Sequence, residues 1–222
     1  MSSPTLTDKV AKLIVHDILH GLLQPDEKLV VADLKQKYDV GASPIREALV
    51  QLSWSKYVNL QPQKGCWVAP IDIDEMNDLY ESLRFVSSVL IKQAIENGDE
   101  NWELAVLTSF HKLSRIQHAK QGFIWQEWEE RQHLFHIVLL EGARSKNMLG
   151  FFSDLIIQIK RYRYYAIVNG LEHDSSCLDE YEQIMKLVLA KDSEQAAQRL
   201  DAHLEHHKQQ IQTIIDKQSV AA

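Results

Sequence analysis

Apolar residues after residue 70 recur at the three- and four-residue spacing of an α-helix, and this periodicity limits the fold more than any other feature. The first such stripe comprises Met76, Leu79, Leu83, Val86 and Leu90. Gly and Pro, which interrupt helices, number only eight and five in 222 residues. The pattern predicts six helices near residues 72–97, 102–118, 123–140, 148–168, 178–190 and 193–216. Because the loops between them are short, we expect an antiparallel six-helix bundle over residues 71–222.

Residues 1–70 follow a different plan of three short helices and a hairpin. Apolar spacing predicts a first helix near residues 10–22 and a second near residues 31–38. The short DVGA segment after the second helix is typical of the connection in a helix-turn-helix. The segments YVNLQ and CWVA flank PQKG, which predicts a two-stranded wing with a glycine turn. We therefore expect a mostly α-helical protein with an N-terminal winged helix-turn-helix domain at residues 1–70.

The third helix is the best-defined element of this N-terminal domain. Ser43 is a favoured N-cap, and Pro44 suits the first helical position because it lacks an N–H that would have no intrahelical partner. Four apolar residues then fall on one face, and we expect them in the core: Ile45, Ala48, Leu49 and Leu52. The intervening residues should face outward: Arg46, Glu47, Val50 and Gln51.

Charge divides the chain at the same place. Residues 1–70 hold eight basic and seven acidic side chains, whereas the rest of the chain holds 16 and 24. A pI near 5.8 argues against nucleic-acid binding over the whole surface. It leaves room for local binding of nucleic acid by residues 1–70, which are nearly neutral and which we call the head.

Several features favour a cytoplasmic protein. The sequence contains no run of about 18 apolar residues, so we expect no transmembrane helix. The N-terminus lacks the apolar core of a signal peptide. Cys66 and Cys177 lie far apart and in no metal-like spacing. We expect two inert thiols in a reducing compartment.

The head resembles the winged helix of GntR-type bacterial transcription regulators. The matching segments, in the order of that family, are QPDEKL, the helix around Leu34, SPIREAL and QKGCWVA. Residues 71–222, which we call the body, resemble the six-helix effector (FCD) domain of the FadR subgroup. The matching segments are QHLFH, the NMLG that follows it and AKDSEQAAQRLDAHL. A weaker resemblance, through QPDEKL, EW and RYR, is to regulators of 4-aminobutyrate and glutarate catabolism that are induced in carbon starvation.

The resemblance implies that the third helix reads DNA. Arg46 would make a bidentate contact with guanine in the major groove. Ser43, Gln51 and the wing residues Lys64 and Gly65 would add phosphate or minor-groove contacts. Relatives place two further arginines where this chain has alanine, at 32 and 42. We therefore expect few contacts per subunit, a shallow salt dependence and a homodimer on a palindromic operator.

The resemblance also locates an effector site in the body. Relatives often bind a divalent metal with Asp, His, His and His, and the matching positions here are Gln132, His136, Tyr181 and His203. Because an amide and a phenol are poor ligands, we expect these four to bind a small carboxylate, such as a dicarboxylate, directly. Arg161 or Arg163 would supply the arginine, and Arg161 is our choice. A weakly bound Zn, Ni or Mn on the two histidines stays open. The remaining histidines of HLEHH, at 206 and 207, should be solvated.

These observations predict a transcription regulator whose operator affinity changes when a small organic acid binds the helical domain. The expected logic is repression of a catabolic operon, although the sequence leaves the sign of regulation open. One alternative is a constitutive DNA-binding regulator with a vestigial pocket. A second is a metal-dependent hydrolase, but the sequence shows no nucleophile or general base with a partner, so we expect no enzyme.

Overall fold

The computed structural model describes residues 5–117, 124–172 and 176–221. The described chain forms two compact units. The first takes in the residues up to Met76, the segment Ile156–Leu171 and the chain from Ile211 on. The second holds Asn77–Leu155 and Glu172–Gln210. Within the described ranges, no helix combines the length and the apolar composition needed to cross a membrane.

The head contains three helices and three short strands. Their bounds are α1 Leu6–Leu19, β1 Lys28–Leu29, α2 Val31–Tyr38, α3 Ala42–Trp54, β2 Val58–Gln61 and β3 Gly65–Val68. The strands pair antiparallel in the order β1-β3-β2, with Leu29 and Leu60 both opposite Cys66. The predicted hairpin is therefore present but gains a third strand. Two residues are too few to show the alternation that identifies a strand, so the sequence pattern missed β1.

The helix α3 begins at Ala42, with Gly41 as its N-cap. The prediction that Ser43 caps this helix is therefore wrong. The Ser43 hydroxyl instead donates a hydrogen bond to Glu47, one turn further on, at 3.0 Å. Pro44 occupies the third helical position, which is tolerated because the first-turn N–H groups have no intrahelical acceptor. The turn before α3 is closed by Asp39, which adopts a left-handed conformation with φ of 51°.

The buried face of α3 forms the centre of the head. All four residues predicted for that face are buried, and Ile45 and Ala48 have no exposed surface. They pack in one cluster with Ile14 of α1 and with Tyr164, which comes from a later helix of the same compact unit. Full burial of such a stripe fixes the rotation of α3 about its axis. Its other face is therefore held toward solvent.

The remaining described elements are all helices. Their bounds are α4 Ile73–Asn97, α5 Glu100–Gln117, α6 Trp125–Glu141, α7 Lys146–Val168, α8 Ser176–Leu189 and α9 Ser193–Ala221. The predicted order and number are confirmed within the described ranges. The predicted ends at 118 and 123 lie outside those ranges. Asp72 caps α4, since its carboxylate accepts from the backbone N–H groups of Asp74 and Glu75.

Two glycines allow α4, α5 and α6 to pack closely. A Cβ at Gly98 would lie 2.0 Å from the Trp102 ring, and one at Gly142 would lie 2.7 Å from it. The Trp102 indole also donates to the carbonyl of Val138 in α6 at 2.9 Å. The three helices therefore meet around one tryptophan, which fixes the position of the helix that carries Gln132 and His136.

Candidate functional site

The face of α3 opposite the core is exposed, as predicted. Its members are Arg46, Glu47, Val50 and Gln51. The guanidinium of Arg46 therefore projects from the N-terminal half of a helix whose orientation is fixed by its buried side. That combination suits a side chain that reads base edges.

Hydrogen bonds already hold much of the first turn of α3. The Glu47 carboxylate accepts from Ser43 at 3.0 Å and from Thr7 of α1 at 2.9 Å. Because the Ser43 hydroxyl proton is used on Glu47, a donor bond from Ser43 to a phosphate would require breaking that contact. Gln51 is one of the partners that lower the pKa of Asp8, although the largest effect comes from the backbone N–H of Thr5.

The wing ends in a tight turn between β2 and β3. The Lys64 amide donates to the carbonyl of Gln61 at 3.1 Å. Pro62 and Gln63 occupy the two central positions, and Gln63 has φ of 62°. Pro followed by a residue with positive φ is the signature of a type II turn. Gly65 has φ of 132°, which side chains rarely adopt, so Gly65 shapes the wing while the exposed Lys64 side chain lies at its tip.

The four residues predicted for the effector site lie together in the second compact unit. Gln132 and His136 come from α6, Tyr181 from α8 and His203 from α9, and each is at most 5% exposed. The Tyr181 ring lies 4.4 Å from the His203 ring and 5.3 Å from the His136 ring, measured between centroids. The two imidazoles are 5.9 Å apart. We call this set the polar cluster.

One hydrogen bond crosses the polar cluster and leaves an acceptor unused. The amide nitrogen of Gln132 donates to the Tyr181 hydroxyl. The amide oxygen of Gln132 is buried and has no hydrogen-bond partner among the described residues. A buried polar atom without a partner is costly, and such atoms are often found where a ligand binds.

Two charged residues next to the polar cluster were missed by the sequence analysis. Glu180 accepts from Nδ1 of His203 at 2.5 Å, and this hydrogen bond is the main reason that the pKa of Glu180 is lowered. A carboxylate on one ring nitrogen fixes the orientation of the imidazole. Arg199 is close enough to Glu180 to contribute to the same pKa shift. Only the proximity of Glu180 to Tyr181 in the chain could have suggested its role.

One further histidine of α9 is also buried, contrary to the prediction that it is solvated. His207 is 7% exposed, and its Nε2 lies 3.5 Å from the buried Cys177 thiol. Its ring is 4.2 Å from that of His203. The residues at 203 and 207 are one turn apart, so they share the inner face of α9. His206 is partly exposed.

Arg161 does not join the polar cluster. It lies in the first compact unit, where it is 4% exposed. Its guanidinium donates to the carbonyl of Pro70 and to the carboxylate of Glu75, the latter at 2.9 Å. The prediction that Arg161 binds the effector together with Gln132 is therefore corrected. Residues on one helix, such as those of α7, can belong to different compact units, and helical spacing alone does not show this.

The donor set of the polar cluster suits a metal poorly. Gln132 offers a neutral amide, and the Tyr181 hydroxyl is occupied by that amide. Two imidazoles remain, which is one fewer than the three protein ligands of a catalytic zinc site and two fewer than the four of a structural zinc site. In the part of the chain that the structure describes, no group of three or more His, Cys, Asp or Glu side chains is arranged to hold a metal.

Comparisons with known proteins identify both parts of the chain. Residues 6–68 match the family described as bacterial regulatory proteins, gntR family. Residues 78–206, more than half of the chain, match the FCD domain. The transcriptional repressor GlaR of Escherichia coli is 31% identical over 85% of this chain and 88% of its own length. The transcriptional regulator BphR of Paraburkholderia xenovorans is 30% identical over 85% of this chain and 78% of its own.

A solved structure shows the same fold over nearly the whole chain. The structure of E. coli McbR/YncC matches with a TM-score of 0.74 and covers 98% of this chain and 99% of its own, at 18% identity. The exposed α3, the three-stranded wing and the helical second part are thus features of a known architecture. The chain belongs to the GntR family of bacterial transcription regulators, in the group that carries an FCD domain.

Proposed function

We propose that this regulator binds a palindromic operator as a homodimer, and that a small organic acid in the polar cluster changes its affinity for that operator. The observation that carries the effector assignment is the burial of four polar side chains from three helices around one point. Burying so many polar groups without a purpose would only destabilise the domain. The proposal also includes a domain boundary near residue 70, the DNA-contact residues of the head and the effector-binding residues of the polar cluster.

In the proposed DNA complex, Arg46 supplies the direct base contact. Lys64 and the backbone around Gly65 contact phosphates, while Gln51 and Ser43 add weaker polar contacts. The head has one more basic than acidic residue, so few counterions are released when it binds. Two heads per operator are then needed for useful affinity. We expect the protein to act as a repressor in the cytoplasm, where the operator is found.

In the proposed effector complex, the two imidazoles and the Tyr181 hydroxyl donate to a carboxylate. Glu180 holds His203 in one orientation, and Arg199 adds positive charge near that pair. Hydrogen bonds to ionised groups are roughly twice as strong as neutral ones, which favours an acid over an ester or an amide. The unused oxygen of Gln132 would accept from a hydroxyl or an ammonium group. The best effector would therefore carry such a donor as well as a carboxylate.

This arrangement makes a metal unnecessary. The imidazoles serve as donors to the acid instead of ligands to a cation, and Gln132 replaces a carboxylate that a metal would need. Control of the operator then requires only that the acid binds one conformation of the protein better than another. If the cluster did hold a divalent ion, metal analysis after dialysis would show it at one equivalent per subunit.

The test is a thermal-shift screen of the full-length protein with glutarate, 2-hydroxyglutarate, glutamate and 4-aminobutyrate. We expect at least one of these acids to raise the unfolding temperature and to alter binding to a DNA site selected from random sequence. The shift should be lost in His136→Asn and kept in His111→Asn, a matched change at an exposed histidine of α5. If no acid in the panel shifts the wild type, a constitutive regulator becomes the better description.

A further inference from the structure

We propose that the first compact unit holds a second ligand site, a small cavity beside Arg161 that takes a short-chain carboxylate. This inference goes beyond the proposed effector site, because none of its residues belongs to the polar cluster. It rests on a cavity, on a buried donor without a partner and on a carboxylate that can be displaced.

The cavity has a volume of about 170 Å³. Its walls are the C-terminal end of α1 and the turn that follows, the end of β3, the segment after β3 and the last turns of α7. Leu23, Val68 and Val168 give it an apolar lining, and Gln24, Arg161 and Asn169 are among its polar side chains. Drug-sized ligands occupy roughly 300–1,000 Å³, so the occupant of this cavity must be smaller. The mixed lining suits a molecule with a short apolar body and one polar end.

Arg161 provides the polar anchor of this cavity. It is 4% exposed, and two of its three nitrogens have acceptors in Pro70, Glu75 and Tyr162. Its Nε is buried and has no hydrogen-bond partner among the described residues. Guanidinium N–H groups are strong, always-charged donors, so an acceptor at Nε would satisfy a group that folding has removed from water.

The identity of the occupant follows from the contact between Arg161 and Glu75. Nε and the Nη2 that donates to Glu75 lie on one edge of the guanidinium, and this edge matches the two oxygens of a carboxylate. The side chain of Glu75 is 40% exposed, so its carboxylate can turn to water and accept hydrogen bonds there instead of from Arg161. A ligand carboxylate would therefore take both positions and displace Glu75. Tyr162, which also hydrogen-bonds Glu75, would be released with it.

Occupancy of this cavity has a consequence for the head. The lining joins α1 and β3, which belong to the winged helix, to the end of α7. A bound acid would stabilise that packing, because it adds contacts on both sides. Its binding energy would then be coupled to any conformational change that separates these elements.

The test is calorimetric titration of the full-length protein with sodium butyrate at constant ionic strength, with sodium chloride as the blank. Butyrate has one carboxylate and lacks the hydroxyl or ammonium group expected of the polar-cluster effector. We expect binding that weakens at least tenfold in Arg161→Gln. Affinity should rise several-fold in Glu75→Gln, because the neutral amide competes less well for the guanidinium. His136→Asn should leave this binding unchanged, which separates it from binding in the polar cluster.

Three results would overturn the proposal. They are no binding of butyrate to the wild type, full binding to Arg161→Gln, or loss of binding in His136→Asn. If Arg161→Gln does not fold, Glu75→Gln decides alone, since unchanged or weaker affinity there contradicts competition for Arg161. Failure of the effector proposal would give a different result. No acid would then change the affinity for DNA, while calorimetric binding at Arg161 would still be measured.

Discussion

Replacing Arg46 with alanine should abolish sequence-specific DNA binding and leave the fold intact. Arg46 is exposed, and its neighbours Ile45 and Ala48 are fully buried on the opposite face. The core that orients α3 therefore does not depend on the arginine. Surface substitutions of this kind change the free energy of unfolding by less than about 0.5 kcal/mol.

The size of the effect follows from the arginine–guanine pairs that the operator complex would contain. One bidentate arginine–guanine pair contributes about 1–3 kcal/mol of discrimination. A dimer presents two copies of Arg46, so the expected weakening is about 2–6 kcal/mol, or roughly 30-fold to 20,000-fold in affinity. Relatives with additional arginines in this region would be weakened proportionally less. Because positions 32 and 42 are alanine, we expect no side chain there to compensate for the loss of Arg46.

The assay is fluorescence anisotropy with a labelled operator and a scrambled duplex of the same composition. Arg46→Lys is the matched control, because it keeps the positive charge but lacks the rigid planar fork of the guanidinium. It should lose the preference for the operator and keep non-specific binding. Lys64→Ala should weaken both duplexes equally and reduce the salt slope by about one per subunit.

If Arg46→Ala binds the operator and the scrambled duplex with the wild-type ratio, α3 does not read DNA through Arg46. Specificity would then come from DNA shape or from the wing. A loss of affinity that is equal on both duplexes would assign Arg46 to a phosphate.

Two further predictions concern the polar cluster. Tyr181→Phe should lower the free energy of unfolding by about 1–3 kcal/mol, because it leaves the buried amide of Gln132 without an acceptor. Adding Gln132→Leu should recover most of that loss in urea unfolding, and a double variant as unstable as the single one would contradict this. The lowered pKa of Glu180 contributes stability that is present above its ordinary value of 4.5 and is lost as pH falls through the lower folded value. Unfolding of Glu180→Gln between pH 3 and 6 should therefore depend less on pH than that of the wild type, and parallel curves would count against the contact with His203.

The sequence predicted the helical elements because helices are local structures. Each needs only an apolar stripe at the right spacing and a suitable start, and both can be read within about 20 residues. The α3 face and the sharing of one face by Gln132 and His136 follow from the same spacing. Errors at the ends were small and local. The start of α3 differs from the prediction by two residues, since Gly41 in an extended conformation can precede a helix without a capping side chain.

The errors in the site have a different origin. Arg161 and the polar cluster were joined because a carboxylate needs an arginine, but α7 passes through both compact units and its two parts have different neighbours. Glu180 was missed because its partner His203 is 23 residues away. His207 was predicted to be solvated, but its neighbour Cys177 is 30 residues away in the chain. In each case the deciding contact joins residues that are distant in the chain.

The sequence by itself determined that this protein is mostly helical, that its head is a winged helix and that Arg46 projects from α3. These properties depend on the spacing of apolar and polar residues, which can be read directly from the sequence. Only the tertiary structure decided that Glu180 orients His203, that β1 completes the sheet and that Arg161 lies beside a separate cavity. Such contacts depend on the packing of whole elements, and the same local pattern is compatible with many packings.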